Sequence, residues 1–164
     1  MEEEKYIQLG KSTNVLRLWI KDIDGNKTGE YLEFNLKDIE LLDKYQRYQD
    51  EYNKNLQWIN NQFVIIKKKQ DFTKKGKIMS NNQEMTYNAI KEYYKKQKGT
   101  LDLFLGKDGV DKLLCGRPFE WGTLQEIHKV INEQISPYLD ITMDNIKKEI
   151  KDKYNVNVQS DVLE

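Results

Sequence analysis

Residues 39–69 read IELLDKYQRYQDEYNKNLQWINNQFVIIKKK and are the longest amphipathic stretch of the chain, so they decide its fold. Large apolar side chains recur in this stretch at alternating steps of three and four residues, with only Gln49 interrupting the series: Leu42, Tyr45, Tyr52, Leu56, Ile59, Phe63 and Ile66. This spacing over about three heptads is typical of a helix that buries one stripe. With Asp38 as a suitable N-cap, we predict a helix from Ile39 to about Lys69.

The spacing alone does not determine what this helix packs against. Its stripe can pair with a second chain, or it can lie against later helices of the same chain. We favour the intramolecular arrangement, because the later helices need a surface to cover. Homo-oligomerisation is still expected. Only 38% of the 164 residues are apolar and 33% are charged, so the core is expected to be small, and self-association would bury additional apolar surface.

Two stretches before the long helix alternate with the period of β-strands, at residues 14–23 and 30–36. The loop between them contains Asp24-Gly25, a pair that is typical of tight hairpin connections. An isolated hairpin is marginally stable, so we expect its apolar face to pack on the helices. The residues expected on that face are Leu16, Leu18, Ile20, Leu32, Phe34 and Leu36.

The helices after the long one are predicted from their capping and breaking residues. Residues 67–84 are polar and basic and are predicted to be a loop. The expected elements are a helix from about Gln83 to Lys98 ended by Gly99, a turn or short helix capped by Thr100, a short helix capped by Asp108 and ended by Gly116, a helix from Leu124 to about Ser136 ended before Pro137, and a last helix capped by Thr142 and running from Met143 to about Tyr154.

These elements predict an α+β chain that is mainly helical, with an N-terminal β-hairpin, a long amphipathic helix and several shorter helices. The length fits one domain. We place that domain at residues 14–155, with the hairpin over 14–36 and the helical part over 38–155. The ends, residues 1–13 and 156–164, are expected to be flexible.

Composition argues against several classes of function. Lysine plus arginine and aspartate plus glutamate both total 27, so no global field attracts nucleic acid or an anionic membrane. No apolar run approaches the roughly 20 residues of a membrane helix, and no signal peptide is visible. We therefore expect a cytoplasmic protein without membrane contact.

Catalytic and metal sites are also not expected. The chain has a single histidine, His128, and a single cysteine, Cys115, which lies in an apolar setting typical of a buried thiol. No phosphate-binding or nucleophile motif occurs, so we predict a non-enzymatic protein without a cofactor. Asp22, Asp24 and Asn26 resemble the start of an EF-hand loop, but Lys27 stands where that loop needs glycine, and a hairpin turn is favoured.

Glycines cluster in one segment, residues 101–117, which read LDLFLGKDGVDKLLCGR. Gly106, Gly109 and Gly116 are expected to form turns around a short helix that folds the chain back on the long one. The segment resembles small tail assembly chaperones of phages and prophages from low-GC Gram-positive bacteria. Their pattern is roughly Phe-hydrophobic-Asp-x-hydrophobic-Phe-Gly-x-Gly, followed by Leu-Phe-Gly. The layout over residues 14–138 is also similar, although Leu105 and Cys115 depart from the pattern.

The resemblance implies a function in tail assembly. Proteins of this family are thought to bind the long tape-measure protein before the tail tube polymerises around it, and the glycine motif is not a catalytic signature there. The expectation is a non-enzymatic chaperone of the host cytoplasm that binds a phage tail protein. The alternatives are a structural component of a tail-like particle, and a nucleic-acid-associated protein that uses the loop Lys67–Lys77, although nucleic acid is the less expected partner.

A contact surface for the partner is predicted on the apolar side of the long helix and on residues 101–121. Each of these side chains could instead belong to the core. The residues of the predicted surface are Tyr52, Leu56, Ile59, Phe63, Leu103, Phe104, Phe119 and Trp121.

Overall fold

The computed structural model describes residues 5–9 and 15–154. The predicted fold class is confirmed, because a two-stranded antiparallel hairpin precedes a long helix and shorter helices. The elements are β1 (Val15–Lys21), β2 (Lys27–Asn35), α1 (Ile39–Lys67), α2 (Asn81–Leu105), α3 (Gly109–Leu114), α4 (Trp121–Val130), a π-helical turn (Ile131–Ile135) and α5 (Ser136–Tyr154). The predicted flexible ends fall largely outside the described residues.

The hairpin packs its apolar face into the core as expected. In the register of the two strands Leu18 lies opposite Leu32, and the ring centroids of Phe34 and Phe104 on α2 are 5.5 Å apart. At the turn, Asp22 Oδ1 accepts hydrogen bonds from the backbone N–H groups of Asp24 and Asn26, at 3.0 and 2.8 Å. These residues therefore close a hairpin turn.

Helix α1 begins where predicted, with Asp38 accepting a hydrogen bond from the N–H of Glu40, but its buried stripe is rotated. Tyr52, Ile59 and Ile66 are buried as predicted, and Tyr45 is half-buried. On the alternate turns the buried residues are Leu41, Tyr48 and Asn55 in place of Leu42, Gln49 and Leu56. The reason is that the polar atoms of Tyr48 and Asn55 find hydrogen-bond partners in the core, which an apolar spacing does not reveal.

Helix α2 is longer than predicted and contains both residues expected to interrupt it. Gly99 is exposed within the helix, where a glycine costs about 1 kcal/mol relative to alanine. Thr100 does not act as an N-cap: it is buried, and its hydroxyl donates to the carbonyl of Lys96 at 3.0 Å. Burial of the following turn, which contains Leu101 and Phe104, outweighs the local preference for a break.

The corner after α2 depends on glycine. Gly106 has φ +98° and ψ 175°, a conformation essentially restricted to glycine, and it ends α2. Gly109 begins α3 so close to α2 that an ideal Cβ would lie 2.6 Å from Leu105 Cβ. The corner therefore needs glycine at 106 for its backbone conformation and glycine at 109 because there is no room for a side chain.

The cap of α3 differs from the prediction. Asp108 makes no side-chain cap hydrogen bond, because its own backbone is left-handed with φ 57°. Asp102 of α2 serves instead, since its Oδ1 accepts from the N–H of Val110 at 2.9 Å. Helix α3 ends at Leu114, and the chain turns through left-handed residues at Cys115 and Gly116.

The last helices are continuous, so Pro137 does not end one and Thr142 does not cap another. Helix α4 begins at Trp121 behind Glu120, whose carboxylate accepts from the N–H groups of Gly122 and Thr123, both at 2.8 Å. In the π turn the N–H of Ser136 donates to Ile131 O, which re-registers the helix just before Pro137, a residue without an N–H. Thr142 is buried and its hydroxyl donates to the carbonyl of Tyr138.

Candidate partner-binding surface

Helices α1 and α2 are antiparallel and form the longest feature of the molecule. We call their distal part the arm: residues 56–67 of α1, residues 81–94 of α2, and the loop 68–80 between them. The loop is tied to both helix ends by Asn82, whose Nδ2 donates to the carbonyls of Ile66 and Lys69 at 3.3 and 3.0 Å. The N–H of Asn82 donates to Asp71 Oδ1 at 3.0 Å, the main cause of a lowered Asp71 pKa.

A buried polar network sets the register between the two helices at the base of the arm. Asn55 Nδ2 donates to Gln97 Oε1 at 2.9 Å and to Thr100 Oγ1 at 3.0 Å. Gln97 Nε2 donates in turn to the carbonyl of Tyr52 and to the hydroxyl of Tyr93, both at 3.2 Å. A slide of one helix along the other would leave these buried groups without partners, so the pairing is specific.

Helix α4 covers one side of the base of the arm. The imidazole of His128 stacks on Tyr52, with ring centroids 4.5 Å apart and planes 8° from parallel, and its Nδ1 forms a hydrogen bond with the hydroxyl of Tyr48. Gln125 Nε2 donates to the Tyr52 hydroxyl at 3.3 Å. Burial lowers the pKa of His128 and raises that of Tyr48. On α2, Tyr94 contacts Phe119, which lies just before α4.

Both stripes that contact this covered side continue along the arm, where their side chains become exposed. On α1, Leu56 and Phe63 follow Tyr52 on the same face, and on α2, Tyr87 lies two turns before Tyr94. Leu56 is half-buried, whereas Phe63 is 40% exposed and Tyr87 is 51% exposed.

We call this surface the arm groove and define it by Leu56, Phe63, Tyr87 and Ile90. A shallow cavity of about 380 Å³ lies on its α2 side, lined in part by Thr86, Tyr87 and Ile90. The arm groove is an apolar surface of the kind that binds a helix of a partner protein.

The eight residues of the predicted contact surface separate into three groups. Tyr52, Ile59 and Phe104 are buried in the core, where α1 and α2 pack together, and so do not contribute to an exposed contact surface. Leu56 and Phe119 are half-buried at the edge of the covered side. The exposed members are Phe63, Leu103 and Trp121.

The exposed members do not form one patch. Leu103 is nine residues after Tyr94 and therefore lies half a turn away, on the opposite face of α2. It neighbours Phe104, whose ring contacts Tyr48, and this places it roughly 20 Å from Phe63 along the arm. Trp121, 51% exposed, is the first residue of α4. Only Leu56 and Phe63 thus belong to the arm groove.

The tip of the arm combines apolar side chains with lysines. Ile78 is completely exposed, and Phe72 and Met79 are 52% and 42% exposed. The six lysines of the tip are all exposed: Lys67, Lys68, Lys69, Lys74, Lys75 and Lys77. Lysines predominate over the single carboxylate of the loop, Asp71, and exposed apolar groups bordered by charged groups are typical of contact surfaces rather than of an inert loop.

Two residues of the arm groove, Tyr87 and Ile90, were not among the predicted contact residues. Their three-residue spacing could have suggested a shared helix face, but the phase of α2 relative to α1 depends on the network around Gln97. That network joins residues 45 positions apart in sequence, so no local pattern reports it.

No family model, no curated protein and no solved structure matches the chain. Within residues 5–9 and 15–154, no helix is long and apolar enough to cross a membrane. The same part of the chain contains no group of three or more His, Cys, Asp or Glu side chains that could hold a metal ion.

Proposed function

We propose that the chain is a non-enzymatic tail assembly chaperone of a phage or prophage that binds tape-measure protein, or another tail protein, in the host cytoplasm. The resemblance of residues 101–117 to that family supports the kind of function. The observation that carries the proposal is the arm groove, where apolar stripes from the core continue onto a part of α1 and α2 that no other described element covers.

A chaperone of this kind has to shield apolar helical segments until they assemble. Exposed apolar area contributes to binding at roughly 25 cal/mol per Å² removed from water, before the costs of association are subtracted. Phe63 and Tyr87 offer large rings on a surface already ordered by the network around Asn55 and Gln97. An ordered surface loses little conformational entropy when a partner binds.

The direct test is co-expression with the tape-measure protein encoded in the same genome, followed by affinity capture. Phe63→Ser is expected to reduce capture several-fold, whereas Leu103→Ser is a matched control because the two side chains are 40% and 39% exposed on different faces. Failure of the unaltered chain to capture any tail protein would contradict the proposed function.

Two other functions give different results in simple assays. A nucleic-acid-associated protein using Lys67–Lys77 would shift DNA in a salt-dependent way, and the shift would disappear when the tip lysines are replaced by alanine. A structural component would be present in purified particles, whereas an assembly chaperone should be absent from them.

A further inference from the structure

We infer that the arm groove binds an acidic amphipathic helix of about three turns, which completes a three-helix bundle with α1 and α2. The inference rests on the proposed function for the identity of the partner protein. It is argued from the packing, length and charge of the arm itself.

The packing argument is continuity with the base of the arm. There the side of α1 and α2 that bears Tyr52 and Tyr94 is covered by α4 and by Phe119. The same side bears Phe63 about three turns beyond Tyr52 and Tyr87 two turns before Tyr94, past the point where the chain enters α4 at Trp121. Among residues 5–9 and 15–154, a third helix is present at the base and none lies over the arm. Two helices with an apolar groove between them most readily complete their core with a third helix.

The length of the arm limits the length of the occupant. From Leu56 to Lys67, the end of α1, the helix rises about 17 Å, or about three turns. The occupant therefore needs apolar residues on one face over about 11 or 12 residues. An extended strand would bury fewer side chains on this surface, because only alternate residues of a strand face one side.

Charge indicates that the occupant is acidic. The arm, residues 56–94, contains seven lysines and three carboxylates, a net charge of +4, although the whole chain has a net charge of 0. Two lysines border the groove: Lys67 lies one turn beyond Phe63, and Lys91 places its Nζ 5.3 Å from the ring centroid of Tyr87. Glu84 is the acidic residue on the same side of α2. A helix with glutamates flanking its apolar face complements this border.

A pair of synthetic peptides tests the inference. Each has 18 residues with leucines at helical spacing; one carries glutamates at the flanking positions and the other lysines. Binding of the fluorescently labelled peptides to the full chain is measured by anisotropy at low and moderate salt. We expect the glutamate peptide to bind and the lysine peptide to bind at least tenfold more weakly, with the difference shrinking as salt rises.

Variants locate the binding site. The double charge reversal Lys67→Glu/Lys91→Glu should weaken the glutamate peptide roughly tenfold, whereas Lys129→Glu, an exposed site on α4, should have little effect. Phe63→Ser should weaken both peptides, and Leu103→Ser neither. Because all of these side chains are exposed or partly exposed, unchanged thermal unfolding is the check that each variant folds.

Several outcomes would overturn the inference: no binding of the glutamate peptide, equal binding of both peptides, loss of binding with Leu103→Ser instead of Phe63→Ser, or a dimer of the chain whose arm groove is closed by a second copy. The proposed function fails separately. If the glutamate peptide binds the arm but no tail protein is captured, the inference stands and the function falls. If a tail protein is captured equally by the Phe63→Ser variant, the function stands and the inference falls.

Discussion

The register of α1 against α2 rests on a buried amide pair, Asn55 and Gln97, which can be tested by a double-mutant cycle. Asn55→Leu leaves Gln97 Oε1 without its donor at 2.9 Å and removes the bond to Thr100. Gln97→Leu removes an acceptor of Asn55 Nδ2 and the donor to the hydroxyl of Tyr93, and it also removes a second hydrogen bond to the carbonyl of Tyr52, which keeps its bond within α1. Each single change therefore removes hydrogen-bond partners of buried polar groups.

The expected magnitude follows from the cost of a buried polar group without a partner, about 1–3 kcal/mol. Each single substitution should therefore lower the free energy of unfolding by about 2 kcal/mol. The double substitution puts two apolar side chains in contact and should cost clearly less than the sum, with a coupling of about 1–2 kcal/mol. For a chain of this size each single change should lower the Tm by roughly 4–8 °C.

Urea unfolding followed by circular dichroism measures these free energies. Asn60→Leu, the same substitution at an exposed position on α1, is the matched control and should change stability by no more than about 0.5 kcal/mol. Additive effects of the two single changes, or a loss at Asn55 no larger than that at Asn60, would refute the role of the amide pair.

Two further predictions concern the covered side and the corner. Because burial lowers the folded-state pKa of His128, the unfolded chain binds more protons below about pH 6.5. The stability that neutral His128 provides is therefore present above that pH and is lost as the pH falls through the folded pKa. In His128→Gln, the free energy of unfolding measured between pH 7.5 and 5 should lack this pH-dependent loss. A pH profile equal to that of the unaltered chain would contradict the prediction. Gly106→Ala should lower the free energy of unfolding by about 1–3 kcal/mol because of the φ of +98° at this position. Gly99→Ala should raise it by about 0.5–1 kcal/mol, because the position is exposed and helical and no atom lies within 4 Å of the added Cβ. The thermal unfolding temperatures of the two variants should therefore shift in opposite directions.

The elements with strong local signals were predictable from the sequence. The hairpin followed from the alternation around Asp24-Gly25, and the start of α1 followed from Asp38 and the helical spacing after it. The helix ends predicted at Gly99 and before Pro137 were wrong. Both residues disfavour a helix locally, but burial of the residues that follow them outweighs this cost in helix stability. A local rule cannot weigh a cost at one residue against burial gained elsewhere.

The candidate site was predictable only in part, for the same reason. Leu56 and Phe63 were named from the spacing of α1, and both border the arm groove. Leu103 was grouped with them, but the continuous α2 places it on the opposite face. The register that aligns Tyr87 with Phe63 depends on long-range hydrogen bonds of Gln97, which no short stretch of sequence encodes.

The most direct measurement is hydrogen–deuterium exchange of the full chain, alone and with the tape-measure protein that we propose as its partner. Binding in the arm groove predicts slower exchange in residues 56–67 and 81–94, with little change in the hairpin and in α3. Slower exchange confined to the hairpin or to residues around Leu103, or no change on either side of the arm, would contradict the proposed site.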